Sequence, residues 1–534
     1  MVTVDEIAAV PLFEGLPEAE RERLSRVAAD IRVLPGEWVV NEGDGRALFA
    51  VLEGHIEVVK LFDGVPRVIG NRHAGDIFGE VPMTMGSPFP AGYRAAEASR
   101  VMRIEPEDYH RTAAASPDIA VKIGEIARTR IGGLQSITSE PTPPRATVVG
   151  PQYDRCCADV RQFLDRNEIT FEWIQREEPL PTEVRFPDGT TLVDPSLREV
   201  ADRVGLQTQP ADTEYDTVVI GGGPAGLAAA VYGASEGLRT IVIEREAPGG
   251  QAGTSSRIEN YLGFPSGVSG EELGRRAHRQ AKRLGAEMLV TRSITGIDAS
   301  TRTVTLDEGE TLRTRTIVIA TGVTWRHLPI PDFERLVGKG LFYGAARSEA
   351  PATHGLDVHI VGAGNSAGQA ALFFANHASS VTILCRSDSL ARSMSHYLVD
   401  QIGTKPNIGV ALHSEVTAVH GGASLEAIDV IDRATGETKR HASGGLFIFI
   451  GADADTGWLC DEIALDDRGY VLTGPDVRAT GRWPLDRDPY LLETSVPGIF
   501  ACGDVRSGPV KRVAAAVGDG SMSIAFVHQY LRDP

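Results

Sequence analysis

Glycine supplies the first chemistry in this sequence. A β-branched stretch, Val218-Val219-Ile220, runs into Gly221-Gly222-Gly223-Pro224-Ala225-Gly226 and then into the apolar run Leu227–Ala234. The pattern is G-x-G-x-x-G between a strand and a helix. Its glycines permit a tight turn and a close approach of backbone to a pyrophosphate, while the helix start adds free N–H groups and a positive dipole end. A second strand, Thr240–Ile243, ends in Glu244, 23 positions after Gly221, where a carboxylate can hold a ribose hydroxyl. The signature then repeats. Val358–Val361 leads into Gly362-Ala363-Gly364-Asn365-Ser366-Ala367 and a helix to Ala375. Here the same offset lands on Cys385, followed by Arg386, with Arg392 close by. An acid would repel a 2′-phosphate and a guanidinium can grip one, so the second site is expected to take NADPH in preference to NADH. Two dinucleotide folds imply two dinucleotides, and flavin with nicotinamide is the pair between which hydride passes.

Further residues carry a resemblance. Gly249-Gly250-Gln251, Ile258-Glu259-Asn260-Tyr261-Leu262-Gly263-Phe264-Pro265, Ala320-Thr321-Gly322 and Ile499-Phe500-Ala501-Cys502-Gly503-Asp504 resemble the low-molecular-weight thioredoxin reductase family over about residues 213–534. The resemblance implies FAD held by Gly221, Gly223, Pro224, Ala225, Gly226, Glu244, Gly250, Gln251, Asn260, Ala320, Thr321, Gly322, Gly503 and Asp504. Arg512, Val513 and Ala514 would lie beside the flavin. NADPH would lie on Gly362, Gly364, Asn365, Ser366, Ala367, Arg386 and Arg392. It also implies a homodimer whose two nucleotide domains rotate against each other. One departure bears on mechanism. The family carries Tyr-Cys-x-x-Cys before its second nucleotide fold, and the matching stretch here is Tyr343-Gly344-Ala345-Ala346-Arg347. Both dithiol positions, Gly344 and Arg347, lack sulfur, and thiolate exchange needs sulfur. The five cysteines, at 156, 157, 385, 460 and 502, include no C-x-x-C. The expected reaction is therefore hydride transfer from NADPH to FAD and onward to an electron acceptor, a small molecule or a protein, that the sequence does not name. Dithiol reduction through a partner's cysteines is the alternative within enzymes. A redox- or nucleotide-sensing protein with incidental turnover is the alternative outside them.

The elements that position these residues form a multidomain α/β chain with a β-rich front. Residues 215–327 and 452–534 are expected to build a Rossmann-like FAD domain, with an NADPH domain, 328–451, inserted between them. Ahead of it, 148–206 reads as a small thioredoxin- or glutaredoxin-like α/β domain between linkers at 136–147 and 207–214. In it Leu180-Pro181-Thr182 looks like that fold's cis-proline turn, and Asp154-Arg155-Cys156-Cys157 stands where C-x-x-C would be. Residues 1–135 read as short strands separated by Gly43, Gly54, Gly64 and Gly75, followed by a helix with Ile119, Ile123, Ile126, Ala127 and Ile131 on one face. Within them Phe78-Gly79-Glu80-Val81-Pro82 and Gly92-Tyr93-Arg94-Ala95-Ala96 resemble the phosphate-binding cassette of cyclic-nucleotide-binding domains. That implies a β-roll binding cAMP or cGMP as a regulatory ligand. Glu80 would take the ribose 2′-OH and Arg94 the cyclic phosphate, with Gly79, Val81 and Ala95 alongside.

Composition narrows the partners. The 534 residues hold 53 Lys and Arg against 72 Asp and Glu, a net charge of −19. Such a chain is repelled by nucleic acid and by anionic membranes. No apolar run approaches the roughly 18–20 residues of a membrane span. The acidic start lacks the basic region of a secretory signal, and a cytoplasmic protein is expected. No residue pattern suggests a metal site.

Overall fold

The computed structural model describes residues 1–62, 65–139, 143–151, 154–178, 180–255, 257–331, 333–343, 353–459, 461, 463–508 and 510–532. The chain divides into two compact units, 1–143 and 144–534.

The first unit packs two four-stranded antiparallel sheets face to face. One runs in the order Ala29–Val33, Ser99–Ile104, Leu48–Glu53, Ile77–Phe78. The other runs Trp38–Val40, Gly92–Ala95, His55–Phe62, Val65–His73. Their inner faces bury Phe49, Val51, Ile56, Phe78, Phe89 and Tyr93. The turns need glycine where the sheets approach each other: at Gly54, φ is +87° and an added Cβ would lie 2.3 Å from Ser99 Oγ. Helices Val4–Ala8, Glu18–Val27, Pro106–Ala115 and Pro117–Ser139 flank this β-roll. The last of them runs four residues into the expected linker.

The second unit opens with a mixed four-stranded sheet in the order Phe171–Gln175, Ala146–Gly150, Glu183–Arg185, Thr191–Val193, covered by helices Arg155–Arg166 and Leu197–Arg203. The first pair is parallel and the others antiparallel. Its first strand begins at Ala146, two residues before the expected boundary. The expected cis-proline turn is corrected, since among the described residues no peptide bond is cis. Trans is the preferred state of an X–Pro bond. The turn after Pro181 is fixed through Thr182, whose N–H donates to Asp194 Oδ1 at 2.9 Å and whose hydroxyl donates to Asp154 Oδ1 at 2.6 Å. Residues 207–214 are bonded to the next domain: Gln207 accepts from Val290 N at 3.0 Å, and Ala211 N donates to Glu287 at 2.7 Å.

From Glu214 the chain builds two nucleotide-type sheets. In the first, Glu287–Leu289, Thr240–Ile243, Glu214–Ile220, Thr311–Ile319, Thr303–Leu306 and Ile294–Asp298 lie in order, and Ile499–Ala501 joins parallel to Thr311–Ile319. Helices Pro224–Ser235 and Val513–Arg532 cover one face, so close that a Cβ at Gly520 would sit 2.1 Å from Ala225 O. The second sheet is parallel throughout: Leu341–Tyr343, Gly445–Ile448, Asp357–Val361, Ser380–Leu384, Ile408–Ala411. A three-stranded antiparallel sheet spanning 414–442 extends it. The chain passes between the two sheets twice, and the two passages, Val323–Trp325 and Ala452–Ala454, pair antiparallel with each other.

Candidate active site

Strand Glu214–Ile220 is buried along its length after Asp216 and delivers the chain to Gly221. There φ is +106° and an added Cβ would lie 2.4 Å from Ala320 O. A Cβ at Gly226 would lie 1.9 Å from Gly221 O, so loop and helix can close on each other only with glycine at this position. Gly223, the N-cap of helix Pro224–Ser235, differs: the nearest atom to its added Cβ is 3.9 Å away. That space belongs to a cavity of about 580 Å³. Glu244, at the end of the adjacent strand, enters the same cavity. Its Oε2 accepts the Gly222 N–H at 2.7 Å and its Oε1 the Glu246 N–H at 2.9 Å. Burial pushes the Glu244 carboxyl up, against these two bonds and the nearby Arg166 guanidinium.

Most of the first expected set lines this cavity. Gly221, Gly223, Pro224, Ala225 and Glu244 do so from one side, Gly250, Gln251, Ala320, Thr321 and Gly322 from another, and Asp504, Arg512 and Val513 from the C-terminal segment. Gln251 Nε2 donates to Val323 O, which ties that loop to the first interdomain passage. Asp504 is pushed up by burial. Gly226 and Gly503 stand behind the wall, where Gly503 packs against Ala225. Asn260 and Ala514 are not brought to the cavity. Ile258 bridges Val268, which leaves Asn260 exposed on the loop between them. On the last helix Val513 and Ala516 share the cavity-facing side, and Ala514 falls off it by the 3.6-residue period.

The second nucleotide domain meets the same cavity. Gly362 has φ +136°, and its added Cβ would lie 2.4 Å from Phe449 O. Gly364, the N-cap of helix Asn365–Phe374, has open space around it. Of the second expected set, Ser366 lines the cavity, and Gln369, Ala370, Phe449 and Tyr343 join it from the same domain. Asn365 has a structural part, accepting the Ser395 N–H at 2.7 Å, and Ala367 is fully buried in the domain core. Arg386 is exposed at the strand end. Arg392 is paired with Asp388 at 2.9 Å. The dithiol positions Gly344 and Arg347 lie outside the described residues, as does Cys460. The four described cysteines are all free thiols. Cys156, half-buried, is pushed up to about 12 by burial and by Asp154, Asp194 and Asp159; Cys157 and Cys502 are raised by burial as well. None of these three is poised as a thiolate.

Sequence reasoning missed the cavity residues that carry no motif: Gln162 and Arg166 from the small domain, and Trp325, Phe449 and Trp458. Tyr343, the first residue of the altered dithiol stretch, lines the cavity without having been assigned a role. Among the described residues no cluster of His, Cys, Asp or Glu is placed to hold a metal, and no helix is long and apolar enough to cross a membrane.

In the β-roll, Gly79 caps helix Glu80–Met85, and Glu80 and Val81 are buried. Arg130, on helix Pro117–Ser139, reaches Glu80 Oε2 at 2.9 Å. Arg94 does not join them, which corrects the expected phosphate site. Side chains alternate across a strand. Tyr93 points inward, its ring 4.3 Å from that of Phe78, so Arg94 points to the other face. There its Nη2 donates to Glu57 Oε2 at 2.7 Å, and its guanidinium lies 5.6 Å from the Trp38 ring. The Ala95 N–H is also in use, donating to Glu37 O at 2.8 Å.

Comparison with known proteins agrees with this geometry. Residues 215–520 match the family described as pyridine nucleotide-disulphide oxidoreductase, and residues 30–116 match the cyclic nucleotide-binding domain. The chain is 32% identical to a thioredoxin reductase of Streptomyces clavuligerus, over 59% of this chain and 94% of that one. It is 30% identical to a Clostridium pasteurianum protein described as a 34.2 kDa protein in the rubredoxin operon, over 60% and 98%. Among solved structures it is similar to Lactococcus lactis thioredoxin reductase in the FR conformation, with TM-score 0.54, 29% identity, and coverage of 60% of this chain and 100% of that one. With residues of both nucleotide domains lining one cavity and more than half its length matched, the chain belongs to the pyridine nucleotide-disulphide oxidoreductase family, as a thioredoxin reductase-like FAD-dependent NAD(P)H oxidoreductase preceded by a cyclic nucleotide-binding domain.

Proposed function

We propose that this enzyme uses NADPH to reduce FAD and passes the electrons to an acceptor without a dithiol relay of its own. The single observation behind this reading is the shared cavity, which runs from Glu244 and Gly223 of the first nucleotide domain to Ser366 and Phe449 of the second. The residues present fit FAD. Gly223 leaves space at a helix N-terminus for a pyrophosphate, and Glu244 stands where a ribose hydroxyl would bind. Gln251, Asp504, Arg512 and Val513 would flank the remainder. When bound, FAD accepts hydride from a nicotinamide and releases electrons to an acceptor. The chain's own residues bind and orient, and Trp325, Tyr343, Phe449 and Trp458 give the cavity aromatic walls that exclude water. Gly344 and Arg347 supply no sulfur, which favours an acceptor outside this chain. A Gly223→Val variant tests the FAD site. Its side chain would enter the cavity, so the purified variant should be colourless; full flavin content would refute the assignment.

For the front domain we propose a cyclic nucleotide as regulatory ligand, on the family match and on buried Glu80 as the group for a ribose hydroxyl. Arg94 has no part in that proposal.

A further inference from the structure

The small thioredoxin-like domain has lost the spacing that redox exchange requires, yet one end of its first helix stands in the nucleotide cavity. Arg166, the last residue of helix Arg155–Arg166, donates from Nη1 to Glu246 Oε2 at 2.8 Å. Its Nη2 donates to the carbonyls of Ala247 at 3.2 Å and Gly250 at 3.4 Å. These belong to the loop that leaves Glu244. Gln162 lies four residues earlier, on the same helix face, and lines the same cavity. The domain is held there independently of Arg166. Arg279 reaches Glu168 at 2.5 Å, Arg198 donates to Thr291 O at 2.5 Å, and the buried side chains Val160, Phe163 and Leu164 belong to one apolar cluster with Val219, Leu227 and Val242 of the nucleotide domain.

Position along the cavity identifies what Arg166 would touch. Glu244 marks a ribose, Gly221–Gly223 mark a pyrophosphate, and the 246–250 loop runs from one to the other, leaving Glu244 and closing on the glycine turn where Gly249 N donates to Gly222 O at 2.8 Å. A guanidinium offers donors to ribose and phosphate oxygens and a planar face to a purine. We propose that Arg166, with Gln162, holds the adenosine half of FAD, so that the thioredoxin-like domain is a fixed wall of the cofactor site. This rests on the assignment of the cavity to FAD.

The test is a titration of the deflavinated full chain with FAD and, separately, with FMN, which lacks the adenosine half, followed by flavin fluorescence. Arg166→Ala should weaken FAD binding about tenfold or more, the scale of one lost charge-assisted contact, and leave FMN binding unchanged. Arg166→Lys should recover part of the loss. Glu168→Gln, which breaks a docking pair, should leave FAD affinity as in the parent. Should Arg166→Ala not fold, Gln162→Ala carries the same test with a smaller FAD-selective loss. Unchanged FAD affinity, or equal losses for FAD and FMN, would overturn the proposal. Failure of the parent chain to bind FAD would instead overturn the assignment of the cavity.

Discussion

Arg386 and Arg392 stand six positions apart in the sequence, and the structure gives them different employment. Arg392 is in an exposed pair with Asp388, an interaction of at most about 1 kcal/mol in water. Arg386 is exposed at the end of strand Ser380–Leu384. It is therefore the residue expected to meet a 2′-phosphate. Arg386→Ala should raise KM for NADPH by about 10- to 150-fold, corresponding to about 1.5–3 kcal/mol, and leave KM for NADH nearly unchanged. Steady-state kinetics with both nucleotides checks this, and equal changes would remove Arg386 from the role. At this scale the sequence was most legible where function needs a residue type at a fixed local spacing. Gly221, Gly223 and Glu244 sit within one βαβ unit, and their geometry follows from it. Gln162, Arg166, Tyr343 and Phe449 reach the cavity from distant segments, and no local spacing announces such convergence.

The β-roll shows what an element adds to a motif. The run Gly92-Tyr93-Arg94-Ala95 is a strand, and a strand sends neighbouring residues to opposite faces. Tyr93 takes the inner face with Phe49, Phe78 and Phe89, so Arg94 is committed to Glu57 and Trp38 outside. A motif read along the chain does not show which face is inner. Glu80, in contrast, follows the turn at Gly79, is buried, and is paired with Arg130. Arg94→Ala should therefore leave the affinity of the full chain for cAMP or cGMP unchanged, whereas Glu80→Ala should remove it. Isothermal titration of the two variants checks both statements; loss of binding in Arg94→Ala alone would return Arg94 to the phosphate. The small domain's sheet was legible in outline because its strands are short and separated by turn residues such as Pro187-Asp188-Gly189. Its docking on the nucleotide domain was not, because Arg166, Glu168 and Arg198 bond to partners about 80 to 110 positions away.

Across the whole molecule, the fold preserves a two-nucleotide reductase while its sequence removes the sulfur relay. Two antiparallel passages, Val323–Trp325 and Ala452–Ala454, join the nucleotide domains, and one cavity receives residues from both. The free cysteines Cys157, Cys385 and Cys502 are buried, and Cys156 and Cys157 are adjacent at the start of a helix whose other end borders the cavity. On the proposed reading, electrons that enter from NADPH have one store, the flavin. Anaerobic reductive titration of the purified flavoprotein tests that claim most directly. We predict complete reduction by two electrons per FAD, with no thiols released on reduction. Uptake of four electrons per FAD with appearance of two thiols would reveal a redox-active disulfide and contradict the account.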